Sequence, residues 1–191
     1  MARGRQILDE AAKLFAERGF TEVGVDEIGR RSGVTGPAIY RHFEGKDAIL
    51  AALFDEALDL LVAASRGVFH DPREELRHRA RSHVARLIEN KHLGDVILRE
   101  ERALSEPYRQ QIRARAAAYI AEWAACVRAS FPDLEEDEAV TATWAALGAL
   151  NSVTYWPDPA LARPEVPDAL AEFVLRALDG LVAGRRDLPA G

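Results

Sequence analysis

The chain holds a single cysteine, Cys126, which excludes an internal disulfide framework. No stretch approaches the ~20 consecutive apolar residues that a membrane span requires. Residues 1–20 read as a charged amphipathic helix without the apolar centre of a secretion signal. A soluble cytoplasmic protein with no membrane partner is expected. The sequence lacks Gly-x-Ser-x-Gly, His-Glu-x-x-His, a phosphate-binding Gly-x-x-x-x-Gly-Lys-Ser/Thr and a Gly-x-Gly-x-x-Gly following a strand, so the expectation is not an enzyme. Cys126, beside Val127 and two alanines, reads as an inert buried thiol. His83 lies among Leu76, Val84 and Leu87 with no second ligand at metal-like spacing, so it reads as a core histidine; neither metal nor cofactor is expected. Nor does any strand-like alternation rich in Val, Ile and Thr recur along the 191 residues, which leaves an all-α fold of about nine helices.

What is present is concentrated near the N-terminus. Residues 25–43 read as two short helices joined by a tight turn. The first runs over residues 25–32, with Val25 and Ile28 inward, and Gly33 follows as a stop that can take the left-handed conformation. Thr35 is placed to cap the second helix with its side chain, and Pro37 sits in the first turn, where its missing N–H costs nothing. Val34 and Ile39 occupy hydrophobic-staple positions. Beyond them Ile39 and Phe43 share one side of the continuing helix, while Gly36, Pro37, Tyr40 and Arg41 share another.

The second face suits a DNA groove. Small residues at Gly36 and Pro37 permit close approach to a base edge or phosphate, and Tyr40 and Arg41 offer donors to phosphate oxygens. Charge agrees locally: residues 30–46 hold Arg30, Arg31, Arg41 and Lys46 against the acid Glu44, within a chain of net charge −6. The DNA-contacting set expected from these residues is Thr35, Gly36, Pro37, Tyr40, Arg41 and Lys46.

These residues resemble the TetR family of bacterial transcriptional regulators. The matches are Arg18-Gly19-Phe20, Ile28-Gly29, Ser32-Gly33-Val34-Thr35, Tyr40-Arg41-His42-Phe43 and Lys46-Asp47-Ala48-Ile49-Leu50, covering residues 5–50. The resemblance adds Gly24 and His42 to the expected DNA-contacting set, and two positions depart from the family pattern. Gly24 stands where a threonine or serine usually caps the second helix and touches a phosphate, and Gly36 stands where a lysine is frequent.

Caps and breakers divide the remainder. Helices are expected over residues 4–18, from about 46 as a long fourth helix, over 72–90 after the cap Asp71, over 93–104, from 106 to 130, over 135–155 and over 168–183. Residues 157–167, with four prolines, read as a loop, and residues 184–191 should fray. The expected organisation is a helix-turn-helix domain over 1–46 and a ligand-sensing and dimerisation domain over 47–191.

A single helix-turn-helix covers few base pairs, so such readers usually dimerise across about one duplex turn. The last two long helices supply the candidate dimer face: small residues Ala145, Gly148 and Ala149 on one, and Leu170, Phe173, Val174, Ala177 and Leu181 on the other. The resemblance implies a four-helix bundle across a twofold axis. Tyr119, Trp123, Asn151 and Tyr155, with Trp144 and Trp156 nearby, could line an apolar pocket, although Trp144 reads more readily as packing volume. Asn151 among Leu150, Val153 and Trp156 needs a hydrogen-bond partner if buried. Arg99 and Arg102, three apart, would share a helix side and could hold an anion such as a carboxylate or a coenzyme A thioester. The reading is a homodimeric repressor that binds double-stranded operator DNA and is released by a small-molecule effector, apolar or anionic. The alternatives are a helical interaction protein and a DNA-binding regulator without an effector.

Overall fold

A computed structural model describes residues 2–186, and every regular element among them is helical. The ten helices are α1 (Ala2–Arg18), α2 (Val25–Arg31), α3 (Gly36–Ile39), α4 (Lys46–Ala64), α5 (Pro72–Glu89), α6 (Lys91–Arg99), α7 (Glu106–Ser130), α8 (Glu136–Asn151), α9 (Asp158–Leu161) and α10 (Val166–Arg186), with 3-10 turns at Glu101–Ala103 and Ser152–Tyr155. No helix among the described residues is long and apolar enough to cross a membrane.

The chain forms two compact units. Among the described residues, the first comprises 2–59 and 90–116 and the second 60–89 and 117–186. In the first, Ile7, Ala11, Leu14 and Phe15 of α1 are buried, as are Ile28, Ile39, Ile49, Leu50 and Leu53. The 3.6-residue period of helix α1 puts its apolar positions on one face, and the edge-on contact of Phe15 with Phe20 closes that core. The second unit buries Leu76, Ala80 and Val84 of α5 with Trp123 and Val127 of α7, Leu147 and Leu150 of α8, and Val174, Leu175 and Leu178 of α10.

Local chemistry explains the boundaries. Gly19 and Gly33 take positive φ of 81° and 66°, the conformation that closes a helix end most cheaply with glycine. Asp71 Oδ1 accepts the Arg73 N–H at 2.9 Å and opens α5 with Pro72 in its first turn. Glu135 and Glu138 form a reciprocal capping box at the start of α8, where three acids face the positive end of the helix dipole.

The structure departs from expectation at several elements. The second helix of the pair, α3, is one turn, Gly36–Ile39, and the chain turns at Tyr40 instead of continuing helically to Phe43. Thr35 occupies the cap position, yet its hydroxyl makes no capping hydrogen bond. The segment expected as a helix over 93–104 is α6 followed by a 3-10 turn, so Arg99 ends one element and Arg102 lies in the next; they do not share a helix side. Helix eight stops at Asn151, with a 3-10 turn to Tyr155. The proline-rich stretch contains α9, because Pro159 occupies a first-turn position, and α10 begins at Val166, earlier than expected. Of the residues expected to fray, 184–186 belong to α10, and 187–191 lie outside the described residues.

Candidate functional site

Helix α2 crosses the start of α3 closely. A Cβ on Gly29 would meet the Val34 carbonyl oxygen at 3.0 Å and the Gly36 nitrogen at 3.3 Å, so the absence of a side chain there sets the approach of the two helices. Ala38 and Ile39 are buried beneath. This leaves Thr35, Pro37, Tyr40, Arg41 and His42 exposed, with Gly24 exposed ahead of α2 and Gly36 half-buried. Tyr40 is 59% exposed.

The four cations expected to favour DNA have different fates. Arg31 pairs with Glu10 and Glu17, and Arg30 with Glu27. The Lys46 ammonium donates to the carbonyls of Phe20 (2.8 Å) and Thr21 (3.3 Å) and stands 4.2 Å from the Phe20 ring centroid. From the other side, the Phe20 N–H donates to Glu100 Oε1 at 3.1 Å. Lys46 and Glu100 thus hold one peptide segment at the exit of α1, and one N–H of Lys46 remains for another acceptor. Among the described residues, Arg41 alone of the four cations has no carboxylate or carbonyl partner. The basic surface is narrower than residue counting suggests.

In the second unit, three of the residues expected near a ligand meet around a histidine. His83 of α5 is 3% exposed; its Nδ1 lies 3.0 Å from the Tyr119 hydroxyl and its Nε2 2.8 Å from Asn151 Oδ1. A carbonyl oxygen only accepts, so Nε2 carries the proton, and Nδ1 accepts from the tyrosine O–H. Burial holds the imidazole neutral, its pKa lowered to about 4, with the Asn151 hydrogen bond pulling weakly the other way. Burial likewise pushes the Tyr119 hydroxyl up to about 12, eased by the neighbouring Trp123. Trp123 packs edge-on against both rings; it is fully buried, and its Nε1 makes no full hydrogen bond.

The other expected pocket residues lie elsewhere. Tyr155 is 67% exposed on its 3-10 turn. Arg99 is in the first unit, exposed and paired with Asp95 at 3.8 Å. Cys126 is buried, and burial pushes its thiol up to about 11, so it stays protonated at neutral pH. The sequence puts His83 in the core, as observed, but does not show that it joins Tyr119 and Asn151. Its spacing of three and four residues from Ala80 and Leu87 signals burial on α5, and nothing local names the residues it meets.

Between α8 and α10 runs an apolar groove of about 410 Å³ lined by Ala142, Ala145, Ala146, Ala149, Phe173, Val174, Ala177, Leu178 and Leu181. The expected stripe divides within it. Phe173 (58% exposed), Ala177 and Leu181 (47%) stand at the surface, whereas Val174 is buried in the unit's own core and forms the floor; Leu170 is half-buried against that core. Gly148 is exposed, with nothing within 4 Å of where a Cβ would be. Trp144, expected as packing volume, is 57% exposed, as its position one turn after the exposed Val140 dictates.

Comparison with known proteins matches residues 7–53 to the model for bacterial regulatory proteins of the tetR family, and residues 70–178 to that for a tetracyclin repressor-like C-terminal domain. The HTH-type transcriptional activator FasR of Mycolicibacterium smegmatis is 30% identical over 164 residues, covering 81% of this chain and 72% of that protein. The TetR-family regulator PfmR of Thermus thermophilus superposes with a TM-score of 0.79 at 29% identity, over 89% of this chain and 97% of its own. The regulator AibR, solved with isovaleryl coenzyme A and operator DNA, shares the fold at a TM-score of 0.75 and 22% identity, over 94% and 96% of the two chains.

Proposed function

Because the chain belongs to the TetR family of bacterial regulatory proteins, we propose that it acts in the cytoplasm as a homodimeric repressor whose grip on operator DNA is relieved by a small molecule. Residues 1–46 serve as the DNA-reading part and residues 47–191 as the sensing and dimerising part. The exposed, unpaired Arg41 beside Tyr40, at the end of a single-turn recognition helix, carries the DNA-contact reading. An arginine held without a carboxylate on an acidic chain suits a phosphate oxygen. Thr35, Gly36 and Pro37 approach the base edges, with Gly24, His42 and the remaining N–H of Lys46 along the backbone.

Dimerisation is supported by the groove between α8 and α10. Phe173 and Leu181 rise beside a strip of alanines, a shape that a second copy related by a twofold axis could fill with its own α8 and α10. The effector reading is supported by the group around His83. Polar atoms of Tyr119, Asn151 and the incompletely satisfied Trp123 Nε1 sit within an otherwise apolar core, the composition that ligand sites favour. An effector that binds one dimer geometry better than another would shift the population away from the DNA-competent spacing.

The test is a selection from random double-stranded DNA with the full chain, followed by gel-shift titration of the enriched site with and without candidate acyl compounds, the class named for AibR. An enriched two-half-site motif, with binding lost on adding one compound, supports the whole reading. Enrichment of no motif overturns it.

A further inference from the structure

Helix α2 carries two adjacent acids, Asp26 and Glu27, and the structure treats them differently. Glu27 is held by Arg18 and Arg30. Asp26, also on the first turn, is exposed and has no hydrogen-bond or ion-pair partner among the described residues. Its Oδ1 occupies the space that a Cβ of Gly36 would fill. The absent side chain at the first residue of α3 therefore leaves a notch, and an unneutralised carboxylate fills it, flanked by exposed Thr35 and Pro37.

A lone carboxylate on a DNA-facing edge is repelled by phosphate, so it contributes to binding only opposite hydrogen-bond donors. In the major groove those are the exocyclic amines. Cytosine presents its N4 amine, adenine presents N6 beside the acceptor N7, and guanine and thymine present acceptors to the same edge. We propose that Asp26, seated in the notch left by Gly36, is a specificity-determining residue that accepts a hydrogen bond from a cytosine N4 amine in each half-site. This rests on the DNA-binding reading above. The same carboxylate penalises guanine or thymine there, so discrimination comes from repulsion as well as attraction. Gly36 is the second half of the device, because any side chain at that position displaces the carboxylate.

The experiment is random-sequence DNA selection on the full chain and on Asp26→Ala, Asp26→Asn and Gly36→Ala, with thermal unfolding of each. The wild-type chain is expected to enrich a motif with a cytosine position in each half-site. Asp26→Ala loses about ten-fold discrimination at that position and keeps the rest of the motif. Asp26→Asn moves the preference there toward adenine, whose N6 and N7 match an amide. Gly36→Ala changes the same position. If the variants enrich the wild-type motif unchanged, the proposal is overturned, and a uniform gain in affinity for all sequences would show repulsion alone and overturn it too. Lower thermal stability of Asp26→Ala with an unchanged motif would make Asp26 a structural residue of the turn. A wild-type chain that enriches no motif overturns the DNA-binding reading itself, and this proposal with it.

Discussion

Asn151 Oδ1 lies 2.8 Å from Nε2 of His83, joining α8 to α5 through a neutral histidine. The bond fixes the tautomer, so the opposite nitrogen faces Tyr119 as an acceptor. One buried ring thereby connects three helices, and its protonation state becomes a property of the fold.

Stability should depend on pH through His83. Its folded pKa is lowered from 6.5 to about 4, so above 6.5 both folded and unfolded chains hold it neutral. As pH falls from 6.5 toward about 4, the unfolded chain takes up a proton that the folded chain refuses. The stability contributed is lost across that window, at up to about 1.4 kcal/mol per pH unit, and the loss levels off below it. Denaturant unfolding between pH 7.5 and 4 should show a shallower decline for His83→Gln than for the parent chain; parallel curves would refute a buried neutral histidine.

Tyr119→Phe removes the hydroxyl that satisfies His83 Nδ1 while keeping the ring between His83 and Trp123. A buried acceptor left without a donor costs about 1–3 kcal/mol. Urea unfolding should show a midpoint lowered accordingly with an unchanged slope. An unaltered midpoint would mean that water or another donor replaces the tyrosine.

Leu181→Glu places a charge on the exposed rim of the α8 and α10 groove and leaves Val174 and Leu178 beneath it in place. The chain should remain helical by circular dichroism and sediment as a monomer where the parent sediments as a dimer. A dimer of unchanged affinity would move the interface elsewhere, with the exposed Val140 and Trp144 as the next surface to substitute.

Lys46→Ala removes two charge-assisted hydrogen bonds to the Phe20 and Thr21 carbonyls and the contact with the Phe20 ring. The site is partly exposed, so the expected loss is about 1 kcal/mol. Hydrogen exchange should quicken in the turn after α1. Unchanged exchange there would mean that Glu100 alone holds the segment.

The sequence made the helix-turn-helix legible because its signals are local. Gly33 must take positive φ to close α2, Pro37 fits only a first turn, and Ile28 and Ile39 follow the spacing of a buried face. The paired ends at Asp71 and Glu135 were readable for the same reason, since a cap acts within three residues. Partner choice was not legible. Counting Arg30, Arg31, Arg41 and Lys46 gives a basic stretch, but Glu10, Glu17 and Glu27 sit close enough in space to claim two of them, and backbone carbonyls claim a third. Trp144 is exposed despite its size, because volume and apolarity do not say which side of α8 faces inward. The meeting of His83, Tyr119 and Asn151, 36 and 68 residues apart from the histidine, is set by packing of three helices and leaves no local trace.

The proposed contact of Arg41 with a DNA phosphate is read directly in the salt dependence of binding. On the site enriched by the wild-type chain, the logarithm of the binding constant should fall linearly with the logarithm of salt concentration, and Arg41→Ala should make that slope shallower by about one while preserving the order of preferred sequences. A slope and affinity identical to the parent would contradict the placement of DNA on this face.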